Sequence, residues 1–256
     1  MLLAIDVGNS HTVCGIFKDT QLLHHWRLKT DRRMTADELA ISFHTMLAIK
    51  DLAFKDISAV IIASVVPTLQ KAWVGFTAET GWPVLQVSGK SMKTGMKILT
   101  DNPQEVGADR IVNAVAAYHR FNTALVVVDF GTAITFDCVS AAGDYLGGII
   151  APGIAISLDA LAARTAKLPR VDISTPPPDI IGTNTVDAIK SGILYGYGSM
   201  VTGIIAQLRK SFAPDKPKVI ATGGMADLIS PYTDAIQFSE PHLTLEGLRI
   251  LYEKNR

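Results

Sequence analysis

The sequence predicts an α/β protein built from two copies of one unit, and three observations carry that prediction. First, an apolar run, Leu2–Ile5, ends in Asp6, turns on Gly8, Asn9 and Ser10, and resumes as a second β-rich run, Thr12–Phe17. Second, the figure returns 123 residues later: Leu125–Val128 leads into Asp129, turns on Gly131 and Thr132, and resumes through Val139. Third, each pair is followed by another strand pattern and then a helical one, so the repeat β-β-β-α extends beyond the turns.

In order along the chain, Leu2–Asp6, Thr12–Phe17 and Leu22–Leu28 read as strands. Thr35 and Glu38 form a capping box, and Leu39, Phe43, Met46 and Leu47 follow at helical spacing, which predicts a helix over residues 36–50. Ala59–Val66 is continuously apolar, the pattern of a strand buried on both faces. Pro67 opens a helix to about Thr80, and Pro83–Val87 returns as a strand. Residues 88–106 read as loop with a short extended piece at Met96–Leu99, and Gly107-Ala108-Asp109-Arg110 opens a helix to about Phe121.

After the second hairpin come a strand over Asp144–Ile150 and a helix beginning past Pro152-Gly153. Leu168–Asp179, with prolines at 176–178, is expected as a stiff surface connection. Thr185–Phe212 is the longest helical stretch. Its Gly192, Gly196, Gly198 and Gly203 each cost about 1 kcal/mol against alanine, which points to close packing on another helix or subunit, or to a break. Lys218–Ala221 is a strand entering Thr222-Gly223-Gly224, and Thr244–Lys254 a closing helix. The domain halves are expected at 1–121 and 122–256, each a mixed sheet flanked by helices.

The bulk composition narrows the partners. The 256 residues are 48% hydrophobic and 19% charged, and 24 acids balance 24 Lys and Arg. A net charge of zero leaves no electrostatic footprint for nucleic acid or an anionic membrane surface. No run approaches the ~18 apolar residues of a membrane span. No basic region followed by an apolar core opens the chain, so a cytoplasmic location is expected. Cys14 and Cys138, one in each hairpin's second strand, read as small buried thiols rather than zinc ligands. The six histidines are scattered; His11 alone lies in a motif, where its backbone is the useful part. Trp26, Trp73 and Trp82 read as packing residues and Arg32-Arg33 as solvated surface.

The turns carry the chemistry. Glycine and small hydroxyl residues after a strand let backbone N–H groups approach a phosphate with no Cβ in the way. An aspartate at the strand end suits Mg²⁺, which prefers oxygen ligands and keeps several waters. Two copies in register point to phosphate binding, and the absence of G-x-x-x-x-G-K-[ST] excludes a P-loop. Val219–Met225 adds a strand running into Gly223-Gly224, where backbone can lie against an adenine or ribose. Two phosphate turns followed by this motif are the order expected of the actin-like (RNase H-like) ATPase fold, in which the two hairpins face each other across a cleft. Gly107–Arg110 is the candidate acceptor motif, with an acid in a helix's first turn beside a guanidinium able to pair with a carboxylate. The helix N-terminus is expected to make Asp109 a weaker base. Phosphoryl transfer tolerates that, because its base mainly orients the hydroxyl.

Over essentially its full length the chain resembles the type III pantothenate kinases. The resemblance rests on Asp6-Val7-Gly8-Asn9-Ser10-His11-Thr12, Ser64-Val-Val-Pro67, Asp101-Asn-Pro103 leading to Gly107-Ala108-Asp109-Arg110, Asp129-Phe-Gly-Thr132, Gly147–Gly153, Asn184-Thr185 and Thr222-Gly223-Gly224. It implies ATP as phosphoryl donor, Mg²⁺, and a monovalent cation, usually K⁺, held at Asp129, with Asp6 helping to position Mg²⁺. Asp6, Val7, Gly8, Asn9, Ser10, His11 and Thr12 would form the first phosphate loop and Thr132 the second, with Gly223 and Gly224 at the adenosine. Gly107, Ala108, Asp109 and Arg110 would line the pantothenate pocket, with Asp109 as proton acceptor. Thr185 would reach pantothenate from the neighbouring subunit of a homodimer. Ser10 replaces the family's usual threonine and keeps the hydroxyl; Thr100 stands where many members carry a tyrosine against the substrate. The alternatives are another small-molecule kinase or phosphatase of this fold, or a transcription-accessory ATP-binding protein.

Overall fold

The computed structural model describes residues 1–87 and 92–256. The loop expected over 88–106 therefore includes residues 88–91, which lie outside the described residues. The strands are β1 (Leu2–Val7), β2 (His11–Lys18), β3 (Gln21–Lys29), β4 (Ala59–Ser64), β5 (Val84–Gln86), β6 (Leu125–Phe130), β7 (Ala133–Val139), β8 (Tyr145–Pro152), β9 (Lys218–Thr222) and β10 (Phe238–Ser239). The α-helices are α1 (Ala36–Ala48), α2 (Pro67–Thr80), α3 (Ala108–Phe121), α4 (Ile154–Ala163), α5 (Thr185–Ser211), α6 (Ala226–Ile229) and α7 (Leu243–Asn255). Two five-stranded sheets result, ordered β3-β2-β1-β4-β5 and β10-β9-β6-β7-β8.

The sheets are copies of one plan. In the first, β1 pairs antiparallel with β2 and parallel with β4, placing Asp6 opposite Val13 and Ala63. In the second, β6 pairs antiparallel with β7 and parallel with β9, placing Asp129 opposite Thr135 and Thr222. Both aspartates close the central strand of their sheet. Period-two alternation turns each away from its sheet's main apolar cluster, which contains Leu3, Ile5 and Val7 in one case and Val126, Val128 and Phe130 in the other.

The chain divides into two compact units: residues 1–96, 101–116 and 243–256, and residues 97–100 and 117–242. This departs from a single cut after 121 in three places, the smallest being that residues 117–121 at the end of α3 go with the second unit. The α7 helix joins the first unit because its apolar residues Leu243, Leu245, Leu248, Ile250 and Leu251 are buried, with Leu245 meeting Gly15 and Gly247 against Val112. Lys97–Thr100 joins the second because Ile98 bridges in parallel to Tyr145, with backbone bonds of 2.8 Å on both sides.

The first core packs α1 and α2 onto the sheet. The predicted capping box is present, with Glu38 N–H donating to Thr35 Oγ1 (3.3 Å) and Thr35 N–H to Glu38 Oε2 (2.8 Å). Phe43 stands edge-on to Trp73 at 5.5 Å, and Trp26 and Trp82 pack at the margin of the same cluster, so the tryptophans are packing residues. Both cysteines are buried free thiols, and burial first, then Asp6, pushes the Cys14 thiol far up. In the second unit α5 runs unbroken through its glycines: only Gly198 meets a neighbour, the Tyr232 backbone, while Gly192, Gly196 and Gly203 face open space. Among the described residues no helix is long and apolar enough to cross a membrane.

Candidate active site

In the first unit, the turn between β1 and β2 carries the first predicted phosphate loop. Gly8 N–H donates to the His11 carbonyl at 3.0 Å, closing the turn, while Asn9, Ser10 and His11 are exposed. The His11 backbone closes the turn, while burial and then Arg27 hold its imidazole below the usual range. Thr12 behaves differently. Its side chain is buried and lies 3.1 Å from the Thr30 hydroxyl, which donates to the Gly8 carbonyl at 2.8 Å. From the outer side Arg32 Nη2 donates to Asn9 Oδ1 at 3.1 Å, so this arginine grips the turn rather than only facing solvent. Neither Thr30 nor Arg32 belongs to a recognisable motif; their position just past β3 was the one available signal.

The same unit holds the start of α3. Gly107 accepts from the Arg110 N–H at 3.1 Å, and that N–H also lies 2.9 Å from Asp109 Oδ1. Desolvation raises the Asp109 pKa above its ordinary value, more than the Arg110 N–H and guanidinium lower it. The expectation of a weakened base is therefore reversed: burial outweighs the helix N-terminus, and the carboxylate holds a proton more readily than an exposed aspartate. Asn113, one helical turn on and almost fully buried, accepts from Thr244 Oγ1 at 2.7 Å and ties this helix to α7.

In the second unit, the β6–β7 turn is shorter. Gly131 N–H donates to the Ala133 carbonyl at 3.1 Å, leaving Gly131 and Thr132 exposed at the tip. Two backbone segments close on it. A Cβ at Gly153, just before α4, would run into the Thr132 carbonyl. A Cβ at Gly223 would strike Asp129 Oδ1 and the Phe130 backbone, and Gly223 adopts φ +93°, which side chains rarely tolerate. The Asp129 carboxylate is thus packed against the Thr222–Gly223 backbone. A carboxylate oxygen at a strand end beside close-packed backbone is the donor type that fits a hard cation that keeps part of its water shell. Asp6 is likewise a half-buried strand-end carboxylate, of the donor type that suits a hydrated Mg²⁺.

Behind Asp129, the buried Asp137 accepts from Tyr145 Oη (2.7 Å) and Thr135 Oγ1 (2.9 Å), a network sequence reasoning did not single out. Thr100 lies beside Gly147 of β8, and its buried hydroxyl has no hydrogen-bond partner among the described residues. Thr185 is exposed at the first position of α5, beyond the cap in which Asn184 Oδ1 accepts from the Asp187 N–H at 2.9 Å. The structure thus groups Asp6–Thr12 and Gly107–Arg110 in the first unit, and Asp129, Thr132, Gly223, Gly224 and Thr185 in the second.

Two matching sheets, each carrying an aspartate near the end of its central strand with a glycine turn after it, define the actin-like ATPase fold. Solved structures agree on the fold. A conserved Baf family protein of Campylobacter jejuni, described as a transcriptional activator, superposes with a TM-score of 0.59 at 20% identity over 99% of this chain and 98% of that one. The activator of 2-hydroxyisocaproyl-CoA dehydratase from Clostridium difficile, solved with ADPNP, gives 0.56 at 12% identity over 98% and 94%. The chain belongs to the type III pantothenate kinase family, whose model matches residues 2–207. The type III pantothenate kinase of Desulfotalea psychrophila is 50% identical over 98% of this chain and 97% of its own. That of Citrifermentans bemidjiense is 49% identical over the full length of both.

Proposed function

We propose that this chain is a cytoplasmic pantothenate kinase that transfers the γ-phosphoryl group of ATP to pantothenate, giving 4'-phosphopantothenate, the first step of coenzyme A synthesis. The observation that carries this reading is the half-buried Asp109 carboxylate at the head of α3, raised in pKa, in a chain whose two sheets each present a glycine turn after a strand-end aspartate. Asp109 accepts the proton of the pantothenate primary hydroxyl as the hydroxyl attacks the γ-phosphorus, and Arg110 pairs with the substrate carboxylate. Backbone N–H groups and hydroxyls of the turns at Asp6–Thr12 and at Thr132 bind the phosphates, and Gly223-Gly224 accommodates the adenosine. Mg²⁺ and a monovalent cation, when bound, neutralise phosphate charge. Asp6 would hold the first and Asp129 the second.

Each bond change balances: the acceptor oxygen forms the new P–O bond, ADP leaves with the old one, and the hydroxyl proton goes to Asp109. Base strength is secondary in this step, since the proton moves late, when the oxygen has already lost charge to phosphorus, and a raised pKa adds only to the readiness with which Asp109 accepts it.

A homodimer is part of the proposal, with Thr185 reaching the partner's pantothenate. Ile149 and Ile150 on the edge strand β8, Ile156 on α4, and Ile180, Ile181 and Val186 around the start of α5 are all exposed, and open space lies beside three α5 glycines. These features support a second copy as the occupant. The test is a coupled assay of pantothenate-dependent ADP release, with and without K⁺. ADP release indifferent to pantothenate, or dependent on a sugar instead, would replace this reading with another kinase of the fold.

A further inference from the structure

We infer that Thr30 is the positioning residue of the first phosphate turn, and that Thr12 acts through it rather than on a phosphate. The inference rests on the ATP reading above. Three bonds run from this one residue into alternate residues of the turn. Thr30 N–H donates to the Ser10 carbonyl at 3.0 Å, Thr30 Oγ1 donates to the Gly8 carbonyl at 2.8 Å, and Thr30 Oγ1 meets Thr12 Oγ1 at 3.1 Å.

The direction of the last bond follows from proton count. A hydroxyl carries one hydrogen, and that of Thr30 is spent on Gly8. Thr12 must therefore be the donor to Thr30, so its own hydrogen is committed inward. A phosphate oxygen is an acceptor and needs donors. Thr12, 4% exposed and with its hydrogen used, offers none, whereas the exposed Asn9, Ser10 and His11 lie at the tip. The relay Thr12→Thr30→Gly8 fixes the plane of the Gly8–Asn9 peptide, whose N–H belongs to Asn9 and faces opposite to the held carbonyl. Holding Gly8 O inward thus aims the Asn9 N–H outward, before nucleotide arrives. Preorganisation of this kind lowers the ordering cost of binding.

The test is a double-mutant cycle on the full-length protein, read by calorimetric titration with Mg²⁺ and the non-hydrolysable analogue AMPPNP. Thr30→Val keeps the shape and removes the relay; a loss of roughly ten-fold in affinity is expected, the scale of one buried hydrogen bond. The pantothenate KM should stay unchanged, and Thr30→Ser should restore wild-type affinity. Thr12→Val leaves the Thr30–Gly8 bond in place, so its loss should stay below about five-fold, and the double variant should bind no worse than Thr30→Val alone. Wild-type affinity in Thr30→Val, or a Thr12→Val loss above five-fold that adds to it, overturns the assignment. Should Thr30→Val fail to fold, Thr12→Val decides by the same five-fold line. Because AMPPNP binding needs no acceptor, a relay-dependent affinity in a protein that ignores pantothenate would sink the proposed substrate and leave the relay standing.

Discussion

The two Asp-x-Gly turns occupy the same place in matching sheets, yet they are held by different means. The first is strapped largely by side chains: the Thr30 hydroxyl reaches Gly8 and is itself met by Thr12, and Arg32 reaches Asn9, with the Thr30 backbone N–H adding a bond to Ser10. The second is closed by backbone, with Gly153 and Gly223 approaching so closely that a methyl group would strike Thr132, Asp129 or Phe130. Hydrogen-bond straps are graded, since each contributes about 1 kcal/mol and a serine can replace a threonine. Backbone contact is not graded, because a Cβ either fits or displaces the chain. Substitution at the Thr12, Thr30 and Arg32 straps of the first turn is therefore graded, whereas Gly153 and Gly223 beside the second admit no side chain.

The largest expected effect lies outside both turns and tests whether they only bind. Asp109→Asn should lower kcat by about 10²–10⁴-fold, the usual worth of a positioned base, while AMPPNP affinity stays at the wild-type value. A parallel loss of nucleotide affinity would merge Asp109 with the turns. Its pH behaviour follows from burial. Because the folded pKa is raised, the group binds protons more readily in the native state, so ionising it at neutral pH costs stability. That cost sets in as pH rises from the unfolded pKa through the folded one, and Asp109→Asn should melt at or slightly above the wild-type temperature. The acidic limb of kcat/KM should accordingly fall above the ~3.9 of an ordinary aspartate, and a limb at or below that value would contradict the burial argument.

Gly223→Ala probes the contrast most directly. A methyl at φ +93° meeting Asp129 and the Phe130 backbone should cost about 3 kcal/mol by overpacking and strain, visible in urea unfolding. A cost below about 1 kcal/mol would mean that the second turn yields as readily as the first. Next comes Asp129→Asn, which should abolish K⁺ stimulation in a K⁺ titration and weaken AMPPNP about ten-fold through one lost charge-assisted contact. Retained K⁺ stimulation would move the cation elsewhere. The smallest effects belong to the exposed tips: Ser10→Ala and Thr132→Ala should each raise the ATP KM by about five-fold, one hydrogen bond's worth, with melting unchanged. An effect confined to one of them would assign the phosphates mainly to that turn.

Local pattern made much of this legible. The capping box at Thr35, the buried runs of β4 and β6 and the proline that opens α2 are encoded by neighbours in the chain, so periodicity and caps suffice to read them. The two-residue strand β10 was not legible because two residues carry no period, and the short helix α6 has too few turns to show a face. At the site, the aspartates and glycines announce themselves because their chemistry requires those residue types after a strand. Thr30 and Arg32 do not, because a threonine and an arginine past a strand are ordinary until the strand is seen folded back on the turn.

Sequence by itself determined the repeat, the two carboxylates that close the central strands, the acidic helix start at Asp109 and the family. Tertiary structure alone decided where α7 belongs, since an amphipathic helix can bury its face on either sheet until shape selects one. It also decided that Thr12 turns inward to Thr30, and that Asp109 is raised rather than lowered in pKa. Hydrogen-bond direction and desolvation depend on every group within a few ångströms, and most of those groups are far away along the chain.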